Sequence, residues 1–533
     1  MALYTPDVVE LSRIDRSQSP PRIELPRSYN MAVDLLHRHV LEGRGDRVAI
    51  IDDEGRHTYR QVADRAARSA GALRDLGIEP EQRVALCMAD TADFVSAFLG
   101  AIAYGAVPVP LSTQLTTQDY AYLLRDSRAR MVIASDAVMA RLQPAIPPGV
   151  EVAVAATLLG GYKGSRVPWR ALVDASRPFA VPATTTPDDV AFWLYSSGST
   201  GKPKGAMHLH GSPIHAAALY AQSILGIGPD DLVFSAAKLF FAYGLGNSIT
   251  FPFSVGAAAV LMAERPSPAA VVARMREHAP TIFCGVPTLF ARLLADPGFG
   301  RESPRLRIAT SAGEALPRHV GEQWRERTGV EVLDGIGSTE MLHIFLSNRP
   351  GEVRYGTTGR PVPGYELELR ADAGGLAADG EEGSLWVRGP TSCSAYWCDR
   401  ARSLATFHGP WTRTGDRYVR DADGVWTYCG RADDMLKVGG IWVSPFEVES
   451  ALAAHGAVLE AAVVGAEDSD GLVKPKAYVV LQPGRPGSGE LVEELKAFVR
   501  ERLAPFKYPR WIEIVSELPK TATGKIQRFK LRR

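Results

Sequence analysis

Short apolar runs alternate with amphipathic stretches from about Ala49 onward, and this alternation narrows how the chain can fold. Val48-Ala-Ile-Ile51, Arg83-Val-Ala-Leu-Cys87 and Met131-Val-Ile-Ala134 have the length and apolar content of buried strands, while Tyr59 to Leu76 and Thr91 to Ala103 carry helical periodicity. Strand and helix in succession predict an α/β architecture with largely parallel sheets, because a parallel pair needs a crossover long enough to hold a helix. Further strands are expected at Leu232 to Ser235, Ala258 to Met262, Thr281 to Gly285, Arg307 to Ser311 and Val330 to Leu333. From Gly359 to Tyr428 the pattern becomes short strands and turns richer in Gly and Asp, as in a small β-rich subdomain. Past Arg431 it changes again. Ser444-Pro-Phe-Glu447 reads as a capping box opening a helix to Gly456, and two strands, a helix from Glu490 to Arg502 and a strand near Trp511 to Val515 follow. The expected organisation is an N-terminal arm (1–30), a large domain (31–432) and a small mobile α+β domain (433–533).

Composition excludes several function classes. Lys plus Arg equals Asp plus Glu at 60 each in 533 residues, so nothing in the charge balance calls for nucleic acid or an acidic membrane surface. Five cysteines, Cys87, Cys284, Cys393, Cys398 and Cys429, are scattered without a Cys-x-x-Cys pair, which argues against zinc and a disulfide framework. The N-terminus lacks the apolar core of a secretory signal, and the apolar stretches near Phe98 to Leu111 and Phe251 to Met262 are too short and interrupted to span a bilayer. A soluble, cytoplasmic protein is expected.

The chemistry is concentrated in loops. The apolar run Val190 to Leu194 leads into Tyr195-Ser-Ser-Gly-Ser-Thr-Gly-Lys-Pro-Lys-Gly205, after which Gly205 to His210 reads as a returning strand and Ser212 as the cap of a helix reaching about Ile224. Hydroxyls, backbone N–H groups freed by glycine and two lysines suit an oxyanion, although Pro203 after Lys202 breaks the common nucleotide-loop pattern. A second Lys/Gly/Thr loop, Pro519 to Arg528, lies in the last domain and suggests a site assembled between domains. Asp334-Gly-Ile-Gly-Ser-Thr-Glu340 offers Thr339 to a phosphate and Glu340 to Mg²⁺, which takes carboxylate and phosphate oxygens together. Trp411-Thr-Arg-Thr-Gly-Asp416 places an aspartate after a tight turn, as an acceptor for ribose hydroxyls.

In this order and spacing, together with Gly430 to Gly440 and Lys525, these segments resemble the acyl-adenylate-forming superfamily of acyl-CoA synthetases, adenylation domains and luciferases. Phe234 to Asn247, Gly337 to Ser347 and Leu503 to Pro509 resemble its benzoate–CoA and hydroxybenzoate–CoA ligase branch. The resemblance implies that ATP converts a carboxylate to an acyl-adenylate with release of pyrophosphate, after which coenzyme A forms the thioester and frees AMP. It implies that Ser196, Ser197, Gly198, Ser199, Thr200, Gly201, Lys202 and Lys204 hold the β- and γ-phosphates, Thr339 the α-phosphate and Glu340 the metal. Gly313, Glu314, Ala315, Asp334, Gly335 and Ile336 would line the adenine site, and Asp416 and Arg431 would bind the ribose. Lys525 would bridge the attacking carboxylate and the α-phosphate. Rotation of the small domain about Asp433 would then bring Val438, Gly439, Gly440, Ile441 and Trp442 to line a pantetheine tunnel.

The acid pocket is expected at Phe241, Ala242, Tyr243, Gly244, His343 and Ile344, an aromatic floor with small residues that suits a flat ring. His343 either bonds a ring substituent or is a core histidine; His208, His210 and His215 have no assigned role. Benzoate is the leading acid, with hydroxybenzoate, 2-aminobenzoate, furoate and a cyclohexene carboxylate open. Transfer to a carrier-protein thiol and a non-catalytic adenylate-binding regulator are the alternatives. The expected state is a monomer or homodimer, with a lysine acetyltransferase and deacetylase as candidate regulators acting on Lys525.

Overall fold

The structure, a computed structural model, describes residues 10–155, 168–196, 202–438, 441–469, 472–504, 506–520 and 526–532. Two sheets carry the large unit. One has nine strands in the order Arg360–Pro361, Ile344–Ser347, Val332–Gly337, Ile308–Ser311, Ile282–Gly285, Leu232–Ser235, Ala258–Val260, Val48–Asp52 and Gly55–Thr58. Its central strands run parallel, and the two antiparallel strands at one end and the one at the other close its edges. The other sheet, Val107–Pro110, Arg83–Cys87, Met131–Ser135 and Glu151–Ala155, is wholly parallel. The alternation of runs therefore gives the α/β architecture it predicts.

Between these sheets lie the helices Tyr59–Asp75 and Ala92–Tyr104. The first starts where it does because Thr58 and Gln61 form a full capping box. Its Ala63, Ala66, Ala67 and Ala70 are buried, and a Cβ at Gly100 of the second helix would overlap the Ala66 carbonyl. Small residues on facing ridges thus let the two helices pack closely and bury an apolar layer, at roughly 25 cal/mol for each Å² removed from water.

Residues 366–431 form the β-rich subdomain, an antiparallel sheet of Glu366–Arg370, Glu382–Arg388, Trp411–Arg420, Phe407–His408 and Trp426–Arg431. The last unit has its own apolar core, in which Leu436, Val448, Leu452, Val463, Val479, Leu495 and Val499 are buried. There Val458–Glu467 pairs antiparallel with Val473–Leu481, which pairs parallel with Trp511–Ile514. Among the described residues no helix is long and apolar enough to cross a membrane.

Four local expectations are corrected. The segment before Asn30 is a docked hairpin, Arg13–Asp15 with Arg22–Glu24, and Arg38 donates to the Ser12 carbonyl at 2.6 Å. Ser212 is the first helical residue rather than the cap: backbone bonds from His210 to Asp189 (3.0 Å) and Gly211 to Pro187 (2.9 Å) hold the entry turn instead. The helix becomes π-helical over Ala217–Gln222. Ser444 caps Pro445–Ala453, but the Glu447 carboxylate serves Lys507 at 2.7 Å, so only half of the expected box forms. Asp416 sits within the strand Trp411–Arg420 and not after a tight turn.

Candidate active site

The crevice opens at the carboxyl ends of the parallel strands Ile308–Ser311 and Val332–Gly337, where open α/β sheets place their ligands. The loops that follow carry Gly313, Glu314 and Ala315, and Ser338, Thr339 and Glu340, into a cavity of about 880 Å³. Asp334, Gly335 and Ile336 line the same cavity. Burial holds the Asp334 carboxyl well above the usual carboxylate range, against the pull of hydrogen bonds from the Leu316 and Gly335 backbone, and its Oδ1 has no partner among the described residues. A buried acceptor or donor at that wall is positioned for a polar ring edge.

Asp416 and Arg431 face each other across adjacent antiparallel strands, with Arg431 Nη1 3.1 Å from Asp416 Oδ1 and 2.9 Å from the Thr414 carbonyl. Gly415 lies between them at φ 77°, and a Cβ there would come within 2.8 Å of the Arg431 guanidinium. The positive φ favours glycine there, and a side chain would also push the Arg431 guanidinium aside. The two side chains present a carboxylate and a guanidinium to the cavity, a pair suited to vicinal hydroxyls.

The phosphate side is only partly as expected. Ser196 and Lys204 line the cavity. Lys202 does not: it is exposed, its ammonium 5.2 Å from the centre of the Tyr122 ring, whose hydroxyl donates to the Pro203 carbonyl at 3.0 Å. Ser197, Gly198, Ser199, Thr200 and Gly201 lie outside the described residues. Glu340 accepts a 2.7 Å bond from the Tyr396 hydroxyl. Burial alone would raise its pKa, but Tyr396 and Lys204 hold the carboxyl below its ordinary range, so it is ionised at neutral pH.

A second cavity, of about 250 Å³, adjoins the first and is lined by Phe240, Phe241, Ala242, Tyr243, Leu342, His343 and Ile344. Thr288, Gly313, Glu314, Gly337, Ser338 and Thr339 line both cavities. The junction is where a carboxylate held in the smaller space meets whatever occupies the larger. The Tyr243 hydroxyl is engaged with Thr310 Oγ1 at 2.7 Å, away from a ligand. His343 packs among Tyr220, Tyr243 and Phe251, with ring centroids at 5.8, 5.5 and 4.3 Å. Burial lowers its pKa to about 3, so it is neutral; Nε2 stands 3.4 Å from the Tyr243 carbonyl and Nδ1 has no partner among the described residues. The π-helical segments Ala217–Gln222 and Gly246–Thr250 supply the surfaces behind it.

Gly244 is a correction. It does not line the pocket; a Cβ there would run into the Ala237 and Lys238 carbonyls, so glycine serves the close backbone approach of the loop. Three side chains of this region escaped sequence reasoning. Lys238 donates to the Glu264 carbonyl at 2.6 Å and to that of Met262, and Asp90 accepts the Leu239 N–H at 3.2 Å, so a buried pair anchors the pocket loop. Tyr396 touches both Lys204 and Glu340. Lys238 lies in the segment Phe234 to Asn247 but was given no role there, and only long-range contacts reveal what the three side chains do.

A model of the AMP-binding enzyme family matches residues 37–397, and that of the AMP-binding enzyme C-terminal domain matches 447–525. The chain belongs to the AMP-binding enzymes, the acyl-adenylate-forming superfamily. It is 54% identical over 525 residues to a benzoate–CoA ligase of Thauera aromatica, covering 98% of this chain and 99% of that one. It is 49% identical over 511 residues to a 4-hydroxybenzoate–CoA/benzoate–CoA ligase of Rhodopseudomonas palustris, covering 95% and 94%. Among solved structures it is similar to a benzoate CoA ligase from Burkholderia xenovorans (TM-score 0.89, 54% identity, 95% and 100% covered). An anthranilate CoA ligase in complex with anthranoyl-AMP gives a TM-score of 0.90 at 41% identity, with 95% and 97% covered.

AMP-binding enzymes have a large N-terminal and a small C-terminal domain, and here the segment between the two units is tied to both. Asp433 Oδ1 is 3.6 Å from Arg431 Nε on the large unit, whereas Asp434 pairs with Arg528 (3.5 Å) and Arg532 (2.5 Å) on the small one. The tail reaches the large unit, for the Ile526 N–H donates to Glu314 Oε1 at 3.1 Å. Lys525, Gly439 and Gly440 lie outside the described residues. Val438 is buried in the small unit's own core in this arrangement, in a hairpin with Ile441–Val443; the side chains of Ile441 and Trp442 are outside the description.

Proposed function

We propose that this chain is an ATP-dependent aryl-carboxylate–CoA ligase acting on benzoate. The observation that carries the reading is the junction of the two cavities: a small aromatic pocket opens onto the nucleotide cavity at Gly313–Glu314 and Gly337–Thr339. About 250 Å³ walled by Phe241, Tyr243 and His343 takes one ring and has no room for a long acyl chain. The benzoate carboxylate oxygen attacks the α-phosphorus of ATP and the bond to pyrophosphate breaks, leaving benzoyl-adenylate. The coenzyme A sulfur then attacks the acyl carbon, its proton is lost to solvent, and AMP departs.

Asp416 and Arg431 hold the ribose, the Gly313–Ala315 and Asp334–Ile336 walls hold adenine, and Thr339 meets the α-phosphate. Ser196 and Lys204 hold the outer phosphates. Lys525 stabilises charge at the attacking carboxylate and the α-phosphate, a contribution of roughly 100- to 1,000-fold in rate. Glu340 suits Mg²⁺: it is an ionised carboxylate at the cavity, and among the described residues no further group of acidic, His or Cys side chains could complete a protein cage, so the phosphates would supply the remaining ligands. Mg²⁺ there would neutralise phosphate charge. Large and small domains meeting at Asp433, a hinge at that residue, a cytoplasmic monomer or homodimer, and acetylation of Lys525 as an off switch belong to the same reading.

His343 Nδ1 favours a second reading. It is the buried polar atom without a partner among the described residues of the acid pocket, and a ring hydroxyl or amino group would supply one. Hydroxybenzoates and 2-aminobenzoate therefore belong beside benzoate in the test. Pyrophosphate release with MgATP is to be measured over these acids, furoate and a fatty acid, with and without CoA. CoA-dependent turnover on benzoate is the expected result; turnover on fatty acids alone would overturn the pocket assignment.

A further inference from the structure

The geometry points to Tyr396 as a positioning residue of the first half-reaction, its hydroxyl holding the Glu340 carboxylate apart from the Lys204 ammonium and at the wall of the nucleotide cavity. The inference rests on the reading of Glu340 as the metal carboxylate. Tyr396 belongs to a loop of the β-rich subdomain laid against the returning strand Lys204–Leu209. Met207 donates to the Ala395 carbonyl at 3.1 Å, Ser394 to that of Met207 at 2.9 Å, and Trp397 to that of Gly205 at 2.8 Å. The same loop takes hold of the metal residue's backbone, since the Cys393 N–H donates to the Glu340 carbonyl at 2.8 Å. Four backbone bonds thus register one loop against both halves of the phosphate site before any side chain is considered.

The side chain completes the link. Tyr396 is 3% exposed, its ring packed on Phe407 at 5.2 Å between centroids. Its hydroxyl donates to Glu340 Oε1 at 2.7 Å and accepts from Lys204 Nζ at 3.3 Å, and the ammonium also lies 4.4 Å from the ring centre. An ammonium only donates and a carboxylate only accepts, whereas a hydroxyl does both, so the order Lys204, Tyr396, Glu340 fixes the direction of every bond. Without the hydroxyl, a half-buried carboxylate beside a half-buried ammonium closes into a direct ion pair, which the arriving metal and phosphates would have to break. With it, one Glu340 oxygen is pinned, and the ammonium keeps two further N–H donors for phosphate.

Tyr396→Phe removes the hydroxyl and keeps the ring and its packing. The expected result is about a 10-fold rise in the KM for MgATP and about a 5- to 10-fold weaker binding of Mn²⁺ to the enzyme–ATP complex by electron paramagnetic resonance, the KM for benzoate staying within about twofold. In a double-variant cycle read in the KM for MgATP, Tyr396→Phe is expected to add no further loss to Glu340→Gln, because the tyrosine acts through that carboxylate. Mn²⁺ affinity in Tyr396→Phe equal to that of the unaltered enzyme, with Glu340→Gln impaired, overturns the inference and leaves the metal reading standing. Equal rises in both KM values, or a full additional loss in the double variant, also overturn it. Unaltered Mn²⁺ affinity in Glu340→Gln overturns the metal reading and the inference with it.

Discussion

The backbone N–H of Ile526 donates to the Glu314 carboxylate at 3.1 Å across 212 residues of sequence, joining the tail of the small unit to the wall of the nucleotide cavity. Beside it Glu460 of the small unit accepts Lys520 at 2.6 Å and lies 3.6 Å from Arg292 of the large one. These contacts hold Ile526, Lys520 and Glu460 of the small unit against Glu314 and Arg292 of the large one. In the proposed reaction such contacts would belong to the adenylation step, and the thioester step would have to release them.

Glu460→Gln is therefore expected to act on one half-reaction. It leaves Lys520 and Arg292 without their counter-charge where the Glu460 side chain is largely buried, and adenylation should fall about 10-fold. Thioester formation from supplied benzoyl-adenylate should stay within about twofold of the unaltered enzyme. Pyrophosphate exchange and single-turnover thioester assays separate the two; equal losses would remove the assignment of these contacts to the adenylating state.

Gly246→Ala tests the wall behind the acid pocket. A Cβ at Gly246 would overlap the His343 ring, and that ring has aromatic neighbours on its other sides. The imidazole then moves into the pocket. At an overpacking cost of about 1–3 kcal/mol, the KM for benzoate should rise by about 5- to 100-fold while that for MgATP changes little.

Tyr243→Phe separates shape from hydrogen bonding. Its hydroxyl is spent on Thr310, so the variant should lose about 1 kcal/mol of stability, read in a denaturant titration, with benzoate turnover within a few-fold. A loss of two orders of magnitude in kcat would place the hydroxyl on the substrate instead.

Stability should depend on pH through His57 and Asp52, 2.9 Å apart beside the start of the Ala92 helix. The bond to Asp52 raises His57 above its ordinary value against desolvation, so its contribution is complete below about pH 6.5 and fades as pH climbs through the folded value. Burial works to raise Asp52, but bonds from His57 and the Ala92 N–H hold it low, so its contribution is present above about pH 4 and lost on further acidification. His57→Gln should cost about 1 kcal/mol at pH 5–6 and much less above pH 8, measured as the shift in thermal midpoint.

Much of this protein is local and was legible as such. The strand Val190–Ser196 and its return at Lys204–Leu209, the parallel strands Ile308–Ser311 and Val332–Gly337, and the helix capped by Ser444 follow from periodicity and end signals within a few residues. Asp416, Arg431, Glu340 and Thr339 were named from short segments of the sequence, and the structure brings all of them to one cavity. Lys202 and Gly244 failed for the opposite reason. A motif names its residues without saying where each side chain points, and here one turns to Tyr122 while the other is pressed against the Ala237 and Lys238 carbonyls.

What the sequence by itself determined was the order of strands and helices and membership in the acyl-adenylate-forming superfamily. Only the tertiary structure decided which distant groups meet: Tyr396 with Lys204 192 residues away, Lys238 with Asp90, Tyr243 with Thr310, and the junction of the aryl pocket with the nucleotide cavity. The reason is physical. Helix and strand periods are set by neighbours three to four or two residues apart, whereas the partner of a buried polar group is set by how whole sheets and loops pack, which no window of sequence contains.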